Sequence, residues 1–283
     1  MTIASEQSNG ATEVHDSTEN GLYYRHWPAT NTKAVVMLVH GLGEHCHRYE
    51  HLAAHLNQAG YALSSMDLPC HGRSDGTRGH IDSFEVFENA VLELYRRTTD
   101  AIPNTPIFLL GHSMGGLIAA RLLLNHQDKF NGALLSGAAM QSPQEPPAWQ
   151  VAVIRFVARF FPKAKMLALD ASAVSRDPAV VDKYMADPLV SKDKLSAQFL
   201  VSMTDAMEKC KEGGAKITLP LKIMHGSADV MTAPEGSQIL HDAVSSSDKQ
   251  ITIYDGLFHE IFNEPEAETI FSEMVSWMDA RVS

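Results

Sequence analysis

Residues 108–124 read FLLGHSMGGLIAARLLL. An apolar, strand-like run stops at Gly111, presents His112-Ser113-Met114, and passes through Gly115 and Gly116 into an apolar helix. The stretch fits G-x-S-x-G, with Gly111, Ser113 and Gly115 in the motif positions. Side chains at the flanking positions would clash in so sharp a reversal, and the serine at its apex takes an unfavourable backbone conformation. Its hydroxyl then stands at a helix N-terminus, where developing negative charge is favoured. A serine that merely caps a helix leaves the surrounding glycines unexplained, so Ser113 is the candidate nucleophile.

Working outward, short Gly-punctuated apolar runs alternate with helical ones. LYYRHW (22–27), after Asn20-Gly21, reads as the second arm of an opening hairpin. KAVVMLVHG, YALSSMDLP, PIFLLG, GALLSG, LPLKIMHG and QITIYDG read as strands, and YEHLAAHLNQAG as an amphipathic helix with a glycine stop. Strands separated by helices imply parallel βαβ units in a sheet covered on both faces. Thr232, Pro234 and Glu235 read as a capping box with an early proline. Residues 141–210 break this rhythm: a Pro-rich entry, QSPQEPPAW, leads only into helical stretches. The expected organisation is an α/β core over 1–140 and 211–283, with 141–210 inserted as a helical cap, or lid.

Composition narrows the function. Of the 283 residues 45% are hydrophobic, enough for a real core. The formal net charge of −11 lacks the basic footprint that nucleic-acid binding needs. Cys46, Cys70 and Cys210 are odd in number, far apart and in no metal spacing, as expected of reduced thiols in a cytosolic protein. The first 21 residues are polar and acidic with no signal-peptide core, and no apolar run approaches the ~20 residues of a membrane span. A soluble intracellular enzyme is expected. Oligomeric state is not legible.

A nucleophilic serine needs a base, and the base an orienting carboxylate. The loop after KIMHG offers Asp229 and the loop after ITIYDG offers His259, in the order serine, acid, histidine, both at strand ends where ligands bind in parallel sheets. His241 falls inside a helix, His225 sits on a strand terminus, and Asp255 is too near His259. The oxyanion needs two backbone donors: the N–H of Met114, and one from VHGLGEHCHRY, with Leu42 as its donor and His40 as a brace. His45-Cys46-His47 lacks a second ligand group, so no metal is expected. Asp67, His71, Arg73 and Ser74 are expected to tie together a loop beside the serine.

These residues carry a resemblance. HGLGEHCHRY (40–49) is similar to the H-G-x-G-E-H-x-x-R-Y signature of the monoacylglycerol lipase and lysophospholipase branch of the α/β-hydrolases. SRDPAVVDKYMADPLV (175–190) resembles that family's cap segment, and HGSAD and FHEIFNEPE its acid and histidine loops. The resemblance implies the α/β-hydrolase fold and cleavage of monoacylglycerols to glycerol and fatty acid without a cofactor. It carries the triad over as Ser113, Asp229 and His259 and the oxyanion donors as Leu42 and Met114. It puts Glu44, Arg48 and Tyr184 near the polar end of the pocket, although Glu44 and Arg48 also read as an ion pair holding the oxyanion loop. Phe262 stands where some animal members carry a second histidine. A carboxylesterase or lysophospholipase acting on another single-chain ester is the alternative, and a silent hydrolase-fold binding protein a remote one.

Within the cap, AWQVAVIRFVARFFPKAK (148–165) puts Trp149, Val153, Phe156 and Phe160 on one helical stripe beside Arg155, Arg159, Lys163 and Lys165. The expectation is a cap helix whose Trp149, Val153 and Phe156 line an acyl tunnel. Peripheral contact with a membrane or micelle surface is a further expectation.

Overall fold

The computed structural model describes residues 13–168 and 173–282. Asn20 and Gly21, both at positive φ (51° and 76°), join β1 (His15–Glu19) to β2 (Leu22–Trp27) as an antiparallel hairpin. Positive φ at both central residues gives the turn twist that hairpins favour. The remaining strands of the main sheet are β3 (Ala34–Val39), β4 (Tyr61–Met66), β5 (Ile107–His112), β6 (Gly132–Ser136), β9 (Leu221–Gly226) and β10 (Lys249–Tyr254). They form one eight-stranded sheet in the order β1-β2-β4-β3-β5-β6-β9-β10. From β4 to β10 every pairing is parallel.

The central strands β3, β5 and β6 are near-continuous apolar runs, buried along their length, because both faces of the sheet are covered there. Val35, Met37 and Leu109 point into a core shared with α2 (Glu85–Ala101), α3 (Met114–His126) and α7 (Pro234–Ala243). Their neighbours Val36, Leu38 and Phe108 point the other way, onto α1 (Glu50–Gln58) and α8 (Ala267–Asp279). The chain leaves β3 for β4 on one side and returns to β5 on the other. That reversal opens a crevice at the carboxyl ends of β3 and β5, where open α/β sheets bind ligands.

Between β6 and β9 lie α4 (Ala148–Phe160), β7 (Lys165–Leu167), α5 (Pro178–Ala186), β8 (Leu195–Ser196) and α6 (Ala197–Gly213). The insertion is not helices alone, since β7 and β8 pair as an antiparallel ribbon. Helix α6 runs through position 210, and its Phe199, Ala206 and Cys210 pack into the core with α3.

Candidate active site

Ser113 sits between β5 and α3 at φ 55° and ψ −121°. A non-glycine residue held there costs ~1–3 kcal/mol and persists only where its surroundings over-determine it. Here they do. Its N–H donates to the Ser136 carbonyl (2.9 Å), and its own carbonyl accepts from Gly116 (2.9 Å), Leu117 (3.2 Å) and Ala139 (3.0 Å). The glycines are required by close backbone approach: a Cβ on Gly115 would lie 2.0 Å from the Val39 carbonyl oxygen, and one on Gly111 2.4 Å from that of Gly115.

Asp229 follows β9 and His259 follows β10. His259 Nδ1 lies 2.7 Å from Asp229 Oδ2, and both side chains are buried. Oδ1 accepts the N–H groups of Met231 (2.7 Å) and Thr232 (3.0 Å), and Oδ2 also accepts the Thr232 hydroxyl (2.8 Å). Burial alone would disfavour the charge, but hydrogen bonds from His225 and His259 hold the carboxyl well below the usual range. Burial would likewise lower His259, yet the Asp229 carboxylate outweighs it and raises its pKa. Neighbouring His112 is pushed down to about 3 by burial and by His259, so it stays neutral.

The expected capping box at Thr232 does not form. Ala233 is the N-cap of α7, with Pro234 at the helix start, so Thr232 falls one residue short of the cap and its hydroxyl turns to Asp229, to which it donates.

The loop after β3 reaches across to the elbow: a Cβ on Gly41 would lie 3.1 Å from Ser113 Cβ. His40 braces it, with Nδ1 2.8 Å from the Gly41 carbonyl oxygen and Nε2 accepting the Leu68 N–H at 2.9 Å. Glu44 accepts from the Gly41 N–H (2.6 Å), the Tyr49 hydroxyl (2.7 Å) and Arg48 (2.7 Å). Burial opposes its charge, and Arg48 prevails, holding its pKa down to about 2. Arg48 also grips both Glu260 oxygens at 2.6 and 2.7 Å, and its guanidinium lies over the Tyr184 ring, 4.5 Å from the centroid. Among the described residues no protein acceptor pairs with the N–H of Leu42 or Met114. Alongside, Asp67 accepts the N–H groups of Cys46 (2.9 Å) and Arg73 (2.6 Å), and Ser74 donates to the Asp67 carbonyl (2.5 Å). His45 and His47 have separate partners: His45 contacts Asp187, and His47 contacts Tyr23 and Arg25.

Leu42, Glu44, Ser113, Met114, Tyr184 and His259 line one cavity of about 720 Å³. Arg48 stands behind its wall. Trp149, Val153 and Phe156 are not brought to it; they point outward, 66%, 49% and 64% exposed. The face of α4 toward the cavity is instead Gln150, Val151 and Ile154. Both faces of α4 carry apolar residues, so its periodicity finds two stripes and does not say which turns inward. Leu200, Met203 and Met207 of α6 complete the apolar wall, a stripe at helical spacing that sequence reasoning passed over. Glu260, also missed, gives no signal in the sequence, because its partner Arg48 lies 212 residues away.

The segment between β6 and β9 is tied to this site. Ser191 N–H donates to the Gly43 carbonyl (2.8 Å), His45 Nε2 lies 2.9 Å from Asp187, and Arg176 pairs with the buried Glu264 at 2.6 Å.

A family model described as serine aminopeptidase, S33, matches residues 30–266. A monoacylglycerol lipase of Mycolicibacterium smegmatis is 35% identical over 258 residues, 91% of this chain and 92% of its own. The crystal structure of Paleococcus ferrophilus monoacylglycerol lipase superposes with a TM-score of 0.83 at 34% identity, covering 92% of this chain and 99% of that one. A soluble variant of Saccharomyces cerevisiae monoglyceride lipase, solved with a substrate analog, gives 0.81 at 25% identity over 96% of each chain. Full-length similarity of this depth, on an α/β-hydrolase sheet with a G-x-S-x-G elbow at its switch point, leaves one assignment. The chain belongs to the monoacylglycerol lipase and lysophospholipase family of the α/β-hydrolases.

Proposed function

We propose that this carboxylic ester hydrolase cleaves monoacylglycerols through Ser113, His259 and Asp229. His259 takes the Ser113 proton as Oγ attacks the ester carbonyl, and Asp229 steadies the imidazolium. The N–H groups of Leu42 and Met114 hold the oxyanion, each worth ~3 kcal/mol of barrier. Collapse breaks the ester C–O bond, and glycerol leaves with the proton from His259. Water, deprotonated by the same imidazole, then attacks the acyl-enzyme and releases the fatty acid. The chain supplies every group this needs, so no cofactor enters.

One observation carries the reading: a serine at a strained elbow and a buried histidine hydrogen-bonded to Asp229 share the wall of a largely apolar cavity with Leu42 and Met114, whose N–H groups are unpaired. The apolar wall from α4 and α6 suits an acyl chain, and Glu44 and Tyr184 provide a polar end for glycerol. We assign Arg48 to holding Glu44 and the oxyanion loop.

Residues 141–210 serve as the cap, and the outward face of α4, with Phe160 and Phe161 61% and 66% exposed, as its contact with membrane or micelle surface. Among the described residues no helix is long and apolar enough to cross a membrane; we place the enzyme in the cytoplasm, meeting lipid peripherally through this face.

The test is hydrolysis by wild type and Ser113→Ala across medium- and long-chain monoacylglycerols, diolein, triolein, lysophosphatidylcholine and p-nitrophenyl esters. Monoacylglycerol turnover well above the rest and lost in the variant is expected. Fast short-chain cleavage with negligible monoacylglycerol turnover would discard the substrate, and activity surviving in Ser113→Ala would discard the mechanism.

A further inference from the structure

Asp229 receives a second imidazole that the mechanism above leaves idle. His225, at the end of β9, is completely buried, with Nε2 3.0 Å from Asp229 Oδ2 and 3.2 Å from the Thr232 carbonyl oxygen. Its Nδ1 lies 2.7 Å from the hydroxyl of Ser237, itself fully buried on α7. That contact fixes the ring plane from the far side. The backbone leaves no slack either, since a Cβ on the next residue, Gly226, would lie 2.3 and 2.4 Å from the Leu257 and Phe258 carbonyl oxygens.

An ionised carboxylate only accepts hydrogen bonds, so His225 Nε2 carries a proton whatever the charge of the ring. We propose that His225 is a positioning residue for the triad acid: its Nε2–H shares Asp229 Oδ2 with His259, locks the carboxylate in place, and limits how strongly that carboxylate draws a proton onto the catalytic base. This rests on the triad proposed above.

The geometry makes the sharing direct. His259 Nδ1 at 2.7 Å, His225 Nε2 at 3.0 Å and the Thr232 hydroxyl at 2.8 Å converge on one oxygen, while two backbone N–H groups occupy the other; of the three, the imidazole of His225 is the donor opposite the catalytic base. The remaining groups around His259 are neutral His112 on β5, Glu44 and Arg48 from the oxyanion loop, Tyr184 from α5, and its neighbour Glu260. Glu44 and Glu260 are both paired with Arg48, which leaves Asp229 as the carboxylate hydrogen-bonded to the base. With the His225 donor removed, less of the Asp229 charge is neutralised and the imidazolium form of His259 is favoured. The base is then protonated up to a higher pH.

The experiment is the pH profile of kcat/KM on a p-nitrophenyl ester for wild type, His225→Leu and His225→Gln, with His259→Ala and Ser113→Ala as controls. In His225→Leu the acid limb is expected to move up by about one pH unit, with kcat lowered and KM little changed. His225→Gln, whose amide N–H can take the donor's place, is expected to bring the limb back. An equal loss at every pH in His225→Leu, or a limb that Gln fails to restore, would overturn the proposal. If His225→Leu does not fold, side-chain ¹⁵N NMR of the wild-type histidines decides. A protonated His225 Nε2 throughout the active range supports the proposal, and an unprotonated one overturns it. Activity persisting in His259→Ala would instead place the failure in the triad assignment.

Discussion

Arg48 is a single side chain on which two buried carboxylates depend. Glu44 and Glu260 are almost wholly buried, and each is charge-paired with this guanidinium. Removing one partner of a buried pair leaves uncompensated charge and costs about 3–5 kcal/mol. Arg48→Met is therefore expected to lower the urea midpoint sharply. It should also depress kcat/KM, because Glu44 is the acceptor that holds the Gly41 N–H beneath the oxyanion loop. An unchanged midpoint would show the carboxylates find other partners. At this scale legibility is uneven. Ser113 announces itself because its strain demands glycines within a few residues. Asp229 and His259 follow from the ends of strands. His225 reads in sequence only as a strand-terminal histidine, since its value lies in facing Asp229 at 3.0 Å, a relation made by the β9 loop doubling back.

At the scale of elements, α4 is the informative case. Its Trp149, Phe156 and Phe160 form an exposed apolar face, flanked by Arg155 and Arg159, while Val151 and Ile154 face the cavity. The triple substitution Trp149→Ser, Phe156→Ser, Phe160→Ser is expected to cut binding to anionic phospholipid vesicles at least several-fold and to leave hydrolysis of a soluble short-chain ester within about twofold. Loss of both would mean that this face supports the fold of the cap. The hydrophobic period identified the helix but not its orientation, because α4 is apolar both on its exposed face and on the face toward the cavity. The Thr232 turn fails for a related reason: a capping hydroxyl and a carboxylate ligand look alike in sequence.

For the whole molecule, the arrangement of charge predicts acid sensitivity. Burial pushes His71 and His112 down to about 3, so the unfolded chain binds more protons than the folded one once pH falls below the ordinary histidine value of about 6.5. Stability therefore rises with pH across that window. The carboxylates Glu44, Asp67 and Asp229 are held low, and what they contribute is present above about pH 4 and is lost as pH falls toward their folded values. A Tm that declines from near-neutral pH and steepens below about pH 4 is expected, with His71→Phe flattening the upper part of the slope. A pH-independent Tm would contradict this distribution of buried charge.

The strands, the elbow and the loops that carry Asp229 and His259 could be read directly from the chain, because backbone strain, strand burial and loop position are local and each leaves its residue type in place. The family signature at 40–49 was equally local. Which face of α4 turns inward, the grip of Arg48 on Glu260 and the bond from the Ser191 N–H to the Gly43 carbonyl were not readable in that way. Each joins a residue to something that only the closing of the sheet brings near, and a buried charge or an inward face is defined by what surrounds it, not by its neighbours in the chain.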